Sequence, residues 1–152
     1  MSRSGFEFRG VVYTPRCNPE NHLGKPCTCG FLETEEEFLI QELLISMGIE
    51  SIHHIHFPMG DDWGVSPDFV FDTLFVWDGG RGDPYNGQIL LGIEAKCSEG
   101  GRSTSYKRYR LLAMKLRVPI LILTRSEIEK WFSYGRLPLK RATREQYEKL
   151  VA

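Results

Sequence analysis

Long apolar runs are missing from this 152-residue chain. No segment approaches the ~20 apolar residues that span a bilayer, and the N-terminus lacks the apolar stretch of a secretory signal. An intracellular setting, cytoplasmic or nucleoid-associated, with no membrane partner is therefore expected. Cysteine is scarce too: Cys17, Cys27, Cys29 and Cys97 are too few and too clustered for a disulfide framework. Net charge is almost absent, at −1, so the total argues neither for nor against a polyanionic partner. No internal repeat or low-complexity tract is visible, which removes solenoid architectures.

What is present describes one globular domain. Hydrophobic residues make up 41% and charged residues 26% of the chain, enough to bury a real core at this length. Residues 1–32 read as an N-terminal appendage, 33–124 as the core and 125–152 as a helical tail. The small net charge hides an asymmetry: residues 1–100 hold 6 Lys+Arg against 16 Asp+Glu, and residues 101–152 hold 13 against 4. An acidic and a basic pole follow, and a polyanion can dock on the second. The plainer expectation is that the two halves neutralise one another in the fold.

The stretch that carries chemistry runs from Ser66 to Lys96. Both of its ends read as strand, the first rich in Phe and Val, the second a run of Ile and Leu. Glu94 and Lys96, two residues apart on the second strand, emerge on one face. If the neighbouring strand brings Asp68 alongside, two acids and a lysine converge where they can hold a divalent metal and activate a water. The segment between them, residues 78–87, has the composition of a hairpin loop. Its glycines suggest a phosphate cradle, but no helix follows, and a turn explains them better.

Around this stretch the pattern gives helix, strand, strand, strand, helix, strand. A helix is expected over residues 33–47, with Thr34 as N-cap, Glu37 in capping-box position, and Ile40, Leu43, Leu44 and Met47 inward. Gly48 ends it. Glu37 lies close to the edge of the buried stripe and can reach into a site on the sheet. Residues 51–57 alternate as a strand in which His54 and His56 share a face. With no third ligand evident, they are expected as surface or half-buried histidines near the site mouth. After a loop over residues 97–105, a helix is expected over 104–117, with Tyr109, Leu112, Ala113 and Leu116 inward. Six basic residues and no acid between Arg102 and Arg117 make a phosphate footprint. Residues 119–124 form a buried strand reached by a crossover. Short helices follow, one capped by Ser126 and running to 132, another over 143–150. At the N-terminus, residues 6–13 read as one short strand. Cys17, His22, Cys27 and Cys29, within 13 residues, are a candidate structural zinc site, set against free thiols on a loop.

The order Pro67-Asp68 followed by Glu94-Ala95-Lys96 resembles the signature of the PD-(D/E)XK nuclease superfamily. Within it, archaeal and phage Holliday junction resolvases carry a glutamate 11 residues before a helix-ending glycine, and Gly48 minus 11 is Glu37. The resemblance covers roughly residues 33–124, with a 25-residue gap between Asp68 and Glu94 that is longer than in compact resolvases. It implies an α/β restriction-endonuclease-like core, α-β-β-β-α-β, with a mixed central sheet flanked by helices. It also implies a DNA endonuclease dependent on Mg²⁺ or Mn²⁺, acting on branched DNA as a homodimer. Catalytic roles would fall to Glu37, Asp68, Glu94 and Lys96. Metal ligands would be Asp68, Glu94, the Ala95 backbone carbonyl and Glu37. Arg102, Tyr106, Lys107, Arg108 and Arg110 are candidate nucleic-acid contacts by position and charge. The alternatives are an inactive or accessory nucleic-acid-binding module of the same fold, or a nuclease for other DNA structures or RNA. The bland alternative makes Glu94 and Lys96 an edge-strand ion pair and Asp68 a turn cap.

Overall fold

A computed structural model describes residues 6–14 and 34–151. Cys17, His22, Cys27 and Cys29 lie outside the described residues. The chain is α/β, with a mixed sheet and four helices among the described residues.

The expected N-terminal strand is a hairpin instead: β1 (Phe6–Phe8) and β2 (Val11–Tyr13) pair across Arg9 and Gly10. Both turn residues have positive φ, 54° and 79°, the geometry of the two-residue turn that matches strand twist. Helix α1 (Glu35–Ser46) starts at its expected cap, with the Thr34 hydroxyl accepting from the Glu37 N–H at 3.2 Å. Gly48, at φ 69°, closes it as Gly48 N–H bonds Ile45 O and Ile49 N–H bonds Leu44 O.

The expected strand over 51–57 breaks in two. Strand β3 (Ser51–His53) stops where His54 turns into the left-handed region, φ 54°. The chain then makes a small hairpin, β4 (Phe57–Pro58) with β5 (Gly64–Val65). Strands β6 (Phe69–Trp77) and β7 (Ile89–Lys96) form the expected antiparallel pair, joined by the Gly-rich loop. Helix α2 (Glu99–Leu116) begins well before the expected residue 104, because Ser98 accepts from Gly101 N–H and caps it. The loop expected over 97–105 is mostly helix. It leads to β8 (Ile120–Thr124), which lies parallel to β7 as a crossover requires.

Helix α3 (Arg125–Tyr134) is capped by Thr124, not Ser126, in a capping box with Glu127. Strand β9 (Leu139–Arg141), which the pattern did not suggest, pairs with the far half of β6. Helix α4 (Arg144–Val151) completes the described chain. The sheet order is β3-β6-β7-β8, with β9 beside β3 along the same edge of β6.

Two apolar layers sandwich this sheet. Ile40, Leu43 and Leu44 of α1 and Ile128 and Trp131 of α3 pack on Phe69, Phe71, Phe75 and Trp77. On the opposite face, Tyr109, Leu112 and Leu116 of α2, together with Phe6, Phe8 and Tyr13, pack on Val70, Leu74 and Leu91. A strand buried on both faces must be apolar throughout, which is how β7 reads until Glu94. Arg125 clips α3 to α1 through Glu35 and Glu36, at 2.9 and 3.1 Å. Among the described residues, no helix is long and apolar enough to cross a membrane.

Candidate metal centre

The register of β6 and β7 sets the site. Phe69 faces Ile93, so one step outward Asp68 faces Glu94. The two acids are locked by reciprocal bonds: Asp68 N–H donates to Glu94 Oε1 at 3.0 Å, and Ala95 N–H donates to Asp68 Oδ2 at 2.8 Å. Each strand's carboxylate thus accepts from the other's backbone. Gly92 makes this closeness possible, since a Cβ there would sit 2.0 Å from the Phe69 carbonyl oxygen. Asp68 and Glu94 are 8% and 6% exposed. Carboxylates are rarely so buried without partners.

Two more groups arrive from outside the sheet. Glu37, on the first turn of α1, is buried. The left-handed turn at His54 carries its ring inward, with Nε2 at 3.4 Å from Asp68 Oδ1 and 3.9 Å from Glu37 Oε2. The His54 N–H bonds Pro67 O, fixing the turn against the start of β6. Glu37, His54 and Asp68 offer ligand atoms within 4.8 Å of one another and form a buried group that could hold a metal ion. Here the expectation for His54 is corrected. It is buried in the cluster, because β3 ends at His53, four residues before the expected end at 57. Its positive φ was the missing signal, and alternation alone cannot report it; His is, however, among the residue types that enter that region most readily. His56 keeps its half-buried place near the opening, with Nδ1 3.1 Å from Ser66 Oγ.

The electrostatics of the pair are unequal. Burial pushes the Glu94 carboxyl well above the usual carboxylate range; the neighbouring Asp68 adds to this, while Tyr109 and Lys96 oppose it. Burial also disfavours Asp68 as an anion. Hydrogen bonds from His54, Glu94 and the Ala95 amide outweigh that and hold its pKa below the usual value. A proton taken up by the pair is therefore drawn toward Glu94 rather than Asp68. Tyr109, buried beside Glu94, has its hydroxyl pKa pushed well up by burial and then by the Glu94 charge, so it remains a donor. Lys96 Nζ stands 3.5 Å from Glu94 Oε2, with its side chain 27% exposed toward the opening.

This donor set fits a divalent cation. Three buried carboxylates gather against one ammonium, and burying charges without compensation costs several kcal/mol each. The Ala95 N–H is taken up by Asp68 Oδ2.

The centre opens into a cavity of about 700 Å³, walled on one side by the β4–β5 hairpin and on the other by α2. Of the five expected nucleic-acid contacts, Arg108 lines it. Tyr106, Lys107 and Arg110 are exposed on the outer surface of α2. Arg102 is drawn elsewhere: inside the extended first turns of α2 it pairs with Glu99 and Glu127 and stacks over Tyr85 at 5.7 Å. It braces the hairpin loop against α3. Compared with protein-family models, curated proteins and solved structures, the chain has no match in any of the three.

Proposed function

We propose that the protein is a divalent-metal-dependent nuclease that hydrolyses phosphodiester bonds in DNA, built on a restriction-endonuclease-like core. The observation that carries this reading is the reciprocal clamp between Asp68 and Glu94, with Lys96 beside it and Glu37 and His54 closing the donor set. The element order supports the fold assignment: α1, the antiparallel strands β3, β6 and β7, the α2 crossover, and β8 parallel to β7.

Glu37, His54, Asp68 and Glu94 would hold Mg²⁺ or Mn²⁺. When bound, the metal supplies Lewis-acid polarisation of the phosphoryl oxygen and lowers the pKa of a coordinated water. Lys96, partly exposed at the mouth, holds the attacking water and donates toward the charge that builds on the phosphoryl oxygens. Tyr109 donates to Glu94 and fixes its orientation. Arg108, on the cavity wall, draws in the phosphate backbone.

A panel of single-stranded, duplex, flapped and four-way DNA, incubated with Mg²⁺ or Mn²⁺, tests the reading. Cleavage that disappears in Asp68→Asn, with the far-ultraviolet spectrum unchanged, is the expected result. Cleavage of no substrate with either metal would reject it. In that case, an absence of calorimetric heat with Mn²⁺ would favour the accessory binding module.

A further inference from the structure

The two walls of the cavity are chemically opposite. The α2 wall presents Arg108, and the floor presents Lys96. The facing β4–β5 hairpin presents Asp61, Asp62 and Trp63. Both aspartates are exposed, and the indole is 42% exposed. The indole therefore offers an aromatic face at the cavity wall.

The turn that carries the indole is held in place. Met59 and Gly60 N–H groups both donate to Trp63 O, at 3.0 and 3.2 Å. The ring lies against Gly60, where a Cβ would come within 2.5 Å of Nε1. Phe57 and Val65, paired across the hairpin, are buried in the core. Lys115 of α2 hydrogen-bonds Pro58 O, tying one wall to the other. The hairpin is therefore a fixed jaw.

We propose that this cavity takes one strand of nucleic acid at a time, with phosphates along the Arg108 wall and a base stacked on Trp63. The preferred substrate class is then single-stranded or frayed DNA over intact duplex. This rests on the nuclease reading for the chemistry, but its binding geometry stands separately. A duplex brings phosphates to both walls, and Asp61 and Asp62 repel those on the hairpin side. A single strand turns its bases toward that wall, where an aromatic face stacks on any base and asks for no sequence. The fixed jaw means that ordering the indole is not charged against binding.

The test uses a fluorescein-labelled deoxythymidine oligomer and a blunt duplex. Anisotropy is read in EDTA, and cleavage is read with Mn²⁺. Wild type should favour the single strand by roughly tenfold or more, and Trp63→Ala should weaken that binding roughly tenfold, the scale of one lost base stack. Trp63→Phe, which keeps an aromatic face, should recover most of it. The double substitution Asp61→Asn and Asp62→Asn, at exposed positions that leave the core untouched, should raise duplex binding. Equal binding of both DNAs with no effect of Trp63→Ala would overturn the proposal, even if Mn²⁺-dependent cleavage is present and the nuclease reading stands. Trp63-dependent single-strand binding without cleavage of any substrate would sustain the proposal and reject the nuclease reading. If Trp63→Ala does not fold, the Trp63→Phe and aspartate variants decide: unchanged duplex binding in the latter overturns it.

Discussion

Replacing Glu94 by Gln separates a metal centre from a structural ion pair, because the two predict stability changes of opposite sign. Gln keeps an amide oxygen to accept the Asp68 N–H, which lies 3.0 Å from Glu94 Oε1. It removes the carboxylate that shares a proton with Asp68. Two full charges ~4 Å apart at an effective dielectric of ~20 repel by about 4 kcal/mol. A proton drawn toward Glu94 relieves that repulsion. The raised pKa means that this proton stabilises the metal-free fold below the ordinary carboxylate pKa, and that the contribution is lost as pH rises through the folded value. At pH 8 without metal, Glu94→Gln should therefore gain about 1–2 kcal/mol, a rise in Tm of roughly 2–8 °C for a chain of this length. If Glu94 instead serves mainly as partner to Lys96, 3.5 Å away, the substitution breaks a buried pair. The loss is then about 3–5 kcal/mol and Tm falls by roughly 10 °C. Circular-dichroism melts in EDTA at pH 8, with calorimetric Mn²⁺ titrations of both proteins, read the difference. A higher Tm with lost Mn²⁺ heat is expected. A Tm lower by several degrees with intact Mn²⁺ binding would refute the reasoning.

His54→Asn, which keeps a residue type tolerant of positive φ, should weaken Mn²⁺ binding by about tenfold or more, or about 1.4 kcal/mol, in the same titration; unchanged affinity would remove His54 from the ligand set. Burial, then the neighbouring His54, pulls His53 down to about 4. The unfolded chain therefore binds the extra proton first, and stability should drop as pH falls from about 6.5 toward 4, by on the order of 2–3 kcal/mol. Urea melts of wild type and His53→Gln across that window should show a shallower slope in the variant. Gly92→Ala drives a methyl into the Phe69 carbonyl and should cost several kcal/mol, seen as a large fall in Tm or insoluble protein. Arg108→Gln, at an exposed position on the cavity wall, should weaken DNA binding and lower the slope of log K against log salt by about 0.7 per lost single-strand phosphate contact. An unchanged slope would place the DNA elsewhere.

Local rules, legible in the residues alone, account for several parts of this structure. The 3.6-residue spacing and the Thr34 cap located α1, and Gly48 marked its end. The two apolar runs around a Gly-rich segment specified the β6–β7 hairpin. Polar residues at the end of so apolar a strand singled out Asp68, Glu94 and Lys96, because burying them is costly unless they have work to do. Boundaries were less legible. Ser98 outbid the glycines at 100 and 101 as a helix start, and its cap bond is a matter of geometry that composition does not show. Strand β9 is three residues long and exists because the far half of β6 offers an open edge. The positive φ of His54 and the approach of Glu37 are tertiary facts: they depend on how the end of β3 meets β6 and how α1 lies across the sheet. The same holds for Arg102, whose charge marked it for phosphate but whose neighbours Glu99, Glu127 and Tyr85 bind it first. Charge and periodicity say which residues are candidates. Which of them meet is decided by long-range packing, since residues as far apart as Glu37, His54, Asp68 and Glu94 share no local spacing rule.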